Sequence, residues 1–338
     1  MNMIGVDFLP MSYRLPGRFV PSSEIEDRLD LGRGVIERLT GIRGRRYLGP
    51  GESLQGLALA ACQDALASAG PGDVDGLIYY SDNPPLLPEG NGHRRIYYDI
   101  SAHLQNLLAE SGHPLACDCV GIAGSCVSFL LSLQMAAGLI RSGMKKRILL
   151  VGAAANSLFL ENTDKNVAMT FGDGVAAGVL GESEGSGLLG VYCRTDGRGY
   201  AAGGYPDYSS LFVDRKRVAE FAPLGFQAGW RGLLEKTGLI LSDIDVVIPH
   251  QAGIKIIQRG MALAGIPEEK IYLCLGDVGN TGAPAVQLAL ARAVEEGRVR
   301  DGHVVALVAF GTGWNYGAAA WRYRRPLPSP KSTNRPGD

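Results

Sequence analysis

Cys126 is the residue of this sequence best suited to act as a nucleophile. It follows a run of small residues in GIAGSC, and the apolar segment after it continues to Ile140, which predicts a buried helix that begins at the cysteine. A thiol in the first turn of a helix faces unpaired backbone N–H groups and the positive end of the helix dipole, so we expect its pKa to be lowered. The alternative is that Cys126 is a small buried apolar residue, the usual role of a free cysteine.

Two further polar residues, His250 and Asn280, follow predicted elements later in the chain. His250 ends the apolar strand DVVIPH, and Asn280 lies in the turn GNTGA, ahead of a predicted helix. Taken singly, each has an ordinary interpretation: a core histidine with its hydrogen bonds satisfied, or an asparagine that tolerates a left-handed turn. A thiol, an imidazole and an amide in one pocket would instead allow covalent catalysis with stabilisation of developing negative charge.

The elements that would bring these residues together occur twice along the chain. Helices precede three buried strands in each half: VDGLIYYSD, ACDCV and RILLVGAAANS in the first, and DVVIPHQ, IYLCLG and HVVALVAFGTG in the second. Strands that are apolar throughout and alternate with helices predict an α/β protein with five layers, α-β-α-β-α, built from two duplicated halves. Because the helix after Cys126 corresponds to the helix after Asn280, the three side chains should converge.

We place the first half, which carries the nucleophile, at residues 1–170, and the second, which carries the histidine and the asparagine, at 171–324. A tail at 325–338 is rich in proline and polar residues and is expected to be disordered.

Composition narrows the class of protein. The chain has 338 residues, is 46% hydrophobic and carries a net charge of −1, which argues against a nucleic-acid partner. No uninterrupted apolar run reaches membrane-spanning length, and the N-terminus lacks the features of a signal peptide. Six scattered cysteines fit a reducing cytoplasm, and none is paired with a second set of ligands as a metal site requires. We therefore expect a cytoplasmic protein without a metal or a membrane partner.

Five motifs, in order, resemble those of the ketoacyl-ACP synthase III branch of the thiolase superfamily. They are GIAGSCVSF, FGDGVAAGVLGES, IPHQAGIKII, GNTGA and FGTGWNYGAAAWRY. The resemblance extends from about Met3 to Tyr323. It implies a thiolase-like fold, a homodimer, and catalytic roles for Cys126, His250 and Asn280. It also implies CoA or phosphopantetheine thioesters as substrates, acyl carrier protein or acyl-CoA as partner, and neither a metal nor an organic cofactor.

The chemistry that this resemblance implies is a decarboxylative Claisen condensation. The Cys126 thiolate would take an acyl group from a thioester, and the backbone N–H groups of Cys126 and Thr312 would hold the oxyanion. A malonyl thioester would then lose CO2, with His250 and Asn280 donating hydrogen bonds to the enolate oxygen. The resulting carbanion would attack the acyl group and release a β-ketoacyl thioester.

Departures from the family's pattern concern substrate binding. Val35 and Leu158 replace the pair that grips the CoA adenine, whereas Arg43 of the TGIR motif remains available to a phosphate. Lys255 and Arg259 lie where the family places cations for an acidic carrier protein, although a solvated helix face is an equal alternative. These features favour delivery of the acyl group on a carrier protein rather than on free CoA.

Other departures concern the acyl pocket. Gly253 replaces an asparagine and should widen the site, and Trp314 of the last motif is a further predicted substrate-binding residue. Tyr98, or alternatively Tyr97, would reach across the dimer to close the pocket. An apparent insertion at 83–97 indicates an unusual substrate, and hence specialised metabolism, such as polyketide formation, rather than the start of fatty-acid synthesis.

Three alternatives remain open from the residues alone. Cys126 could pass its acyl group to a hydroxyl, an amine or a carrier thiol without forming a carbon–carbon bond. The chain could be a non-catalytic subunit that shapes an active partner. Condensation of two long chains would need a carboxylate base, for which Glu89 is a candidate.

Overall fold

The fold is seen in a computed structural model, which describes residues 4–70, 73–89, 92–95, 100–160, 164–185, 187–206 and 210–324, with the backbone alone at 86–89, 92–95 and 166. The strands are β1 (Gly5–Arg14), β2 (Arg18–Pro21), β3 (Gly44–Tyr47), β4 (Gly76–Tyr80), β5 (Leu86–Glu89), β6 (Gly92–Arg95), β7 (Asp118–Ile122), β8 (Arg147–Ala155), β9 (Asp173–Ser183), β10 (Leu188–Thr195), β11 (Gly203–Gly204), β12 (Phe212–Val213), β13 (Val246–Pro249), β14 (Val304–Gly311) and β15 (Asn315–Arg322). The helices are α1 (Ser22–Leu29), α2 (Val35–Thr40), α3 (Leu54–Ser68), α4 (Ile100–Glu110), α5 (Ser128–Arg141), α6 (Lys165–Ala168), α7 (Arg215–Thr237), α8 (Ile254–Ala264), α9 (Leu275–Val278) and α10 (Ala285–Glu295).

Two sheets with the same strand order form the frame of the molecule. The first has the order β1-β9-β8-β4-β7 and the second the order β10-β15-β14-β13. In each sheet a parallel pair, β4 with β8 or β13 with β14, is extended by antiparallel strands. Because strands apolar on both faces must be covered on both faces, each sheet needs a helical layer on either side.

Helices supply those layers. The apolar helices α5 and α10 pack between the two sheets, α3 and α4 cover the outer face of the first sheet, and α7 with α8 covers the second. One hydrophobic cluster fills the central layer, and two further clusters lie under the outer helices. The arrangement is the five-layered α-β-α-β-α fold that the duplicated pattern predicted.

One predicted boundary and one predicted strand are wrong. Strand β9 lies between β1 and β8, so the first half extends past residue 170 and the sheets divide between β9 and β10. The predicted strand IYLCLG makes a single parallel bridge, between Val247 and Ile271, and then turns into α9. The backbone N–H groups of Cys274 and Leu275 instead donate to Gln251 Oε1, at 2.9 and 3.1 Å, which removes them from a sheet ladder.

None of the helices in the described part of the chain is long and apolar enough to cross a bilayer. The tail predicted to be disordered, residues 325–338, lies outside the described residues.

Candidate active site

Cys126 lies at the end of β7 in a short 3-10 turn, Ser125–Val127, that leads directly into α5. Ser125 has a φ of 52°, a left-handed conformation that strains a residue with a side chain. Ser128 fixes this turn, because its hydroxyl donates to the Ser125 carbonyl at 2.6 Å and accepts the Gly124 N–H at 2.9 Å. The cysteine is therefore mounted rigidly at the start of the buried helix.

The pKa of the thiol departs from the sequence-based expectation. Burial raises the pKa of Cys126, and the negative charge of Asp82 acts in the same direction. The predicted lowering of this pKa is therefore wrong for the protein without substrate: removing the thiolate from water outweighs the hydrogen bonds to Ser125 and the turn backbone that favour it. Burial therefore favours the thiol form of Cys126 over the thiolate.

His250 follows β13 and is buried, with only 2% of its surface exposed. Its backbone N–H donates to the Val308 carbonyl at 2.7 Å, and its ring packs edge-on against Phe310 at a centroid distance of 5.5 Å. Burial lowers the pKa of His250 to about 3. The imidazole is consequently neutral at physiological pH, and it keeps one ring N–H that can act as a donor.

Asn280 is held in place by its backbone and by its side-chain oxygen. Its backbone N–H donates to the Thr170 carbonyl and its carbonyl accepts the Gly172 N–H, both at 2.9 Å. The side-chain Oδ1 accepts the Gly282 N–H at 2.9 Å. Because the oxygen is occupied, the NH2 group is the part of this amide left to donate to a ligand.

The three side chains line one cavity of about 410 Å³, to which the first half contributes Cys126 and the second His250 and Asn280. The juxtaposition predicted from the two repeats is thus present in the structure. A neutral imidazole and an amide, both able to donate, face the cavity that holds a buried thiol.

The turn after β14 meets the cysteine from the second half. A Cβ atom on Gly311 would lie 3.0 Å from the Cys126 backbone nitrogen, so this close approach requires glycine. The hydroxyls of Thr312 and Ser125 are hydrogen-bonded at 2.8 Å. These contacts place the backbone N–H groups of Cys126 and Thr312, the two predicted oxyanion donors, in the first turns of adjacent short helices, where such groups have no intrahelical partner.

A second cavity, of about 450 Å³, is also lined by Cys126. It is lined by residues of both halves, among them Asp82, Tyr205 and Thr312. Sequence reasoning did not select Asp82. The available signal was its position after β4, the strand that corresponds to the β13 strand preceding His250.

Gly253 and Lys255 line the first cavity. Gly253 has a φ of 145°, and a Cβ atom there would meet only the Thr40 carbonyl, at 3.8 Å, so the cavity is open at this point. Lys255 is exposed at the start of α8, and Arg259 is exposed one turn further along. The exposed Arg215, which sequence reasoning missed, lines the same cavity.

Three predicted residues lie elsewhere. Arg43 is exposed and lines a separate cavity with Arg292 and Glu296. The Trp314 ring stacks on the Phe221 ring at a centroid distance of 5.2 Å, and the Arg217 guanidinium lies 5.0 Å from its centroid. Trp314 is therefore a packing residue. Among the described residues it is not part of the lining of either cavity at Cys126. Leu158 lines a third cavity, away from Lys255.

Tyr98 and Tyr97 lie outside the described residues, as does the side chain of Glu89. Their predicted roles, and that of most of the apparent insertion at 83–97, therefore have no structural description.

Comparisons with known proteins match the two segments of the chain that contain these residues. The model of 3-oxoacyl-[acyl-carrier-protein] synthase III matches residues 121–197, and the model of the C-terminal part of that enzyme matches residues 234–323. The chain is 32% identical to beta-ketoacyl-[acyl-carrier-protein] synthase III 1 of Deinococcus radiodurans, over 97% of this chain and 96% of the relative. The chain belongs to the ketoacyl-ACP synthase III family.

Solved structures of the family superimpose closely. The 3-oxoacyl-(acyl carrier protein) synthase III of Pseudomonas aeruginosa is 26% identical, with a TM-score of 0.86 over 96% of this chain and all of the other. The priming β-ketosynthase of the R1128 polyketide pathway is 27% identical, with a TM-score of 0.85 over 96% and 98% of the two chains. The two matched ketoacyl-ACP synthase III segments contain Cys126, His250 and Asn280.

Proposed function

We propose that this acyltransferase of the ketoacyl-ACP synthase III family accepts an acyl group on Cys126 and condenses it with a malonyl-type thioester. One observation carries the proposal: a thiol, a neutral imidazole and an amide donor line a single cavity between the halves. The reaction uses no group beyond its thioester substrates.

The first step is transfer of the acyl group to sulfur. The Cys126 sulfur attacks the thioester carbonyl, the carbon–sulfur bond to the carrier breaks, and the proton of the Cys126 thiol leaves with the departing carrier thiol. The backbone N–H groups of Cys126 and Thr312 stabilise the oxyanion, and loss of one such donor typically costs about a hundredfold or more in rate. Because burial raises the pKa of the Cys126 thiol, transfer of its proton accompanies the attack in this proposal.

The second step needs hydrogen-bond donors rather than a base. When a malonyl thioester loses CO2, negative charge develops on its thioester oxygen. His250, which burial keeps neutral, and the Asn280 NH2 group donate to that oxygen. The carbanion then forms a carbon–carbon bond to the acyl carbonyl, and the Cys126 thiolate leaves and recovers its proton.

Carrier and assembly are part of the proposal. Lys255 and Arg259 would bind an acidic acyl carrier protein at the mouth of the first cavity, with acyl-CoA as the alternative donor. A cytoplasmic location and a homodimer belong to the proposal, and the homodimer is supported by β7, which lies at an edge of the first sheet with Val120 39% exposed, because open apolar edges favour pairing with another chain. The likeness to a priming ketosynthase supports specialised metabolism, such as polyketide formation.

Product analysis tests the proposal. The protein is incubated with acyl-CoA and acyl-carrier donors and then with a malonyl carrier thioester, while intact mass, CO2 and the β-ketoacyl product are measured. We expect an acyl adduct on Cys126, followed by equal amounts of CO2 and product. Transfer of the acyl group to another acceptor without CO2 would favour acyl transfer alone. Absence of an adduct with every donor would favour the non-catalytic subunit.

A further inference from the structure

Asp82 brings a carboxyl group to the second cavity beside Cys126. It follows β4 and packs against Gly282, two residues after Asn280. Its Oδ2 accepts the Ala283 N–H at 3.1 Å. Its Oδ1 is buried and has no hydrogen-bond partner among the described residues.

Other buried carboxylates of this protein are well supplied with donors. Asp173 accepts the Ser157 N–H on Oδ1 at 2.8 Å, and on Oδ2 it accepts the Ser157 hydroxyl at 2.6 Å and the Leu48 N–H at 2.9 Å. Structural carboxylates in this fold thus receive several hydrogen bonds. Asp82 receives hydrogen bonds only from backbone N–H groups among the described residues, its own and that of Ala283, and its Oδ1 has no partner there.

Among the described residues, no lysine or arginine lowers the pKa of Asp82. Burial raises the pKa of Asp82 to about 7, and the groups that oppose this rise are backbone N–H groups rather than a lysine or an arginine. A carboxylate in such surroundings gains more from a donor or a cation than one that is already paired.

The neighbouring side chains of Ser81 and Asn83 already have hydrogen-bond partners. The Ser81 hydroxyl donates to the Ala153 carbonyl at 2.7 Å. The Asn83 amide accepts the Ala155 N–H at 2.6 Å and donates to the Tyr205 oxygen at 2.8 Å. A donor group that enters this part of the cavity therefore finds its acceptor in Asp82.

We propose that the second cavity selects acyl groups that carry a hydrogen-bond donor, a hydroxyl or an ammonium group, and that Asp82 binds this donor. The inference rests on the proposed function, because the acyl group reaches the cavity on the Cys126 sulfur. An unsubstituted alkyl chain would fill the same space but would leave Oδ1 without a partner.

Binding to the Cys126→Ala variant tests this selectivity without chemistry. Calorimetry would compare the pantetheine thioesters of butyrate, 3-hydroxybutyrate and 4-aminobutyrate. We expect one of the two donor-bearing thioesters to bind at least about tenfold more tightly than the butyryl compound, as for a charge-assisted hydrogen bond. Adding Asp82→Ala should remove the preference, and Asp82→Asn should keep a preference for the hydroxyl but not for the ammonium.

Asp196→Asn is the matched control, because it removes a partly exposed carboxylate paired with Arg198, and it should leave the preference unchanged. Equal affinity for the three thioesters, or a preference that survives Asp82→Ala in a variant with a native melting transition, would overturn the inference. A preference without any acyl adduct on wild-type Cys126 would overturn the proposed function and leave the selectivity standing. Adduct formation without a preference would overturn the selectivity alone.

Discussion

The two repeats use the same strand order but finish it differently beside the active site. In the first, β7 pairs with β4 along its whole length, from Gly76 opposite Asp118 to Tyr80 opposite Ile122, and leads directly to Cys126. In the second, the chain after α8 touches β13 through one bridge and turns into α9. A complete strand thus precedes the nucleophile, and an incomplete one lies between the two donor residues in the sequence.

Gln251 binds the backbone of the segment that does not complete the second sheet. Its Oε1 takes the N–H groups of Cys274 and Leu275, and its Nε2 donates to the Pro249 carbonyl at 2.6 Å. One buried side chain thus satisfies backbone groups that a fifth strand would otherwise pair. The comparison teaches that a duplicated fold can gain different chemistry from each copy by changing a single strand.

The largest effects should come from substitutions that remove either the nucleophile of the first repeat or a donor of the second. Cys126→Ala should remove the acyl adduct and slow condensation by at least about a thousandfold, because no covalent intermediate can form. Asn280→Ala should retain adduct formation within about tenfold and slow CO2 release by about a hundredfold, because an enolate donor is lost. Intact mass and CO2 release measure the two steps. If Asn280→Ala abolished the adduct as completely as Cys126→Ala, the division of roles between the repeats would be wrong.

A smaller effect is expected from removing the side chain that replaces the fifth strand. Gln251→Ala should lower the free energy of unfolding by about 2–3 kcal/mol, since two buried N–H groups lose their acceptor. Denaturant unfolding measures this change. Gln227→Ala, which removes a bond to the Leu263 carbonyl near the surface, should change stability by less than about 0.5 kcal/mol. Equal effects of the two substitutions would show that Gln251 does not hold this segment.

A pH-dependent effect is expected at the strand ends themselves, where β4 presents Asp82 and β13 presents His250. The folded-state pKa of Asp82, about 7, exceeds its ordinary value of 3.8, so protonation of Asp82 stabilises the fold, and this contribution is lost as pH rises from about 4 through 7. Asp82→Asn should therefore unfold like the wild type at pH 4 and be more stable than the wild type at pH 8. Thermal unfolding across this range checks it; a gain that is the same at both pH values would contradict the assignment.

Most of the fold could be predicted from the sequence, because apolar strands and helices recur in the same order in both halves. That recurrence also predicted the meeting of Cys126, His250 and Asn280. The fifth strand of the second sheet was predicted wrongly, since IYLCLG is as apolar as a true strand and only the tertiary contact with Gln251 removes it from the sheet. The boundary at residue 170 failed because β9 returns to pair with β1, a long-range contact that local pattern does not encode.

Individual site properties were harder to predict. The pKa of the Cys126 thiol depends on how deeply the cavity buries it, which a helix start in the sequence does not reveal. Trp314 belongs to a family-like motif, yet its ring is held between Phe221 and Arg217, side chains supplied by α7. Asp82 was overlooked because its importance comes from donors that are missing around it.

Gly311 sets a limit on how this site can be altered. The absence of a methyl group there determines how closely the second repeat can approach the nucleophile. Even an alanine side chain at this position would push the two repeats apart. The distance between the two predicted oxyanion donors would then increase. Engineering for bulkier substrates should therefore change cavity residues that lie farther from the Cys126 sulfur and should leave Gly311 unchanged.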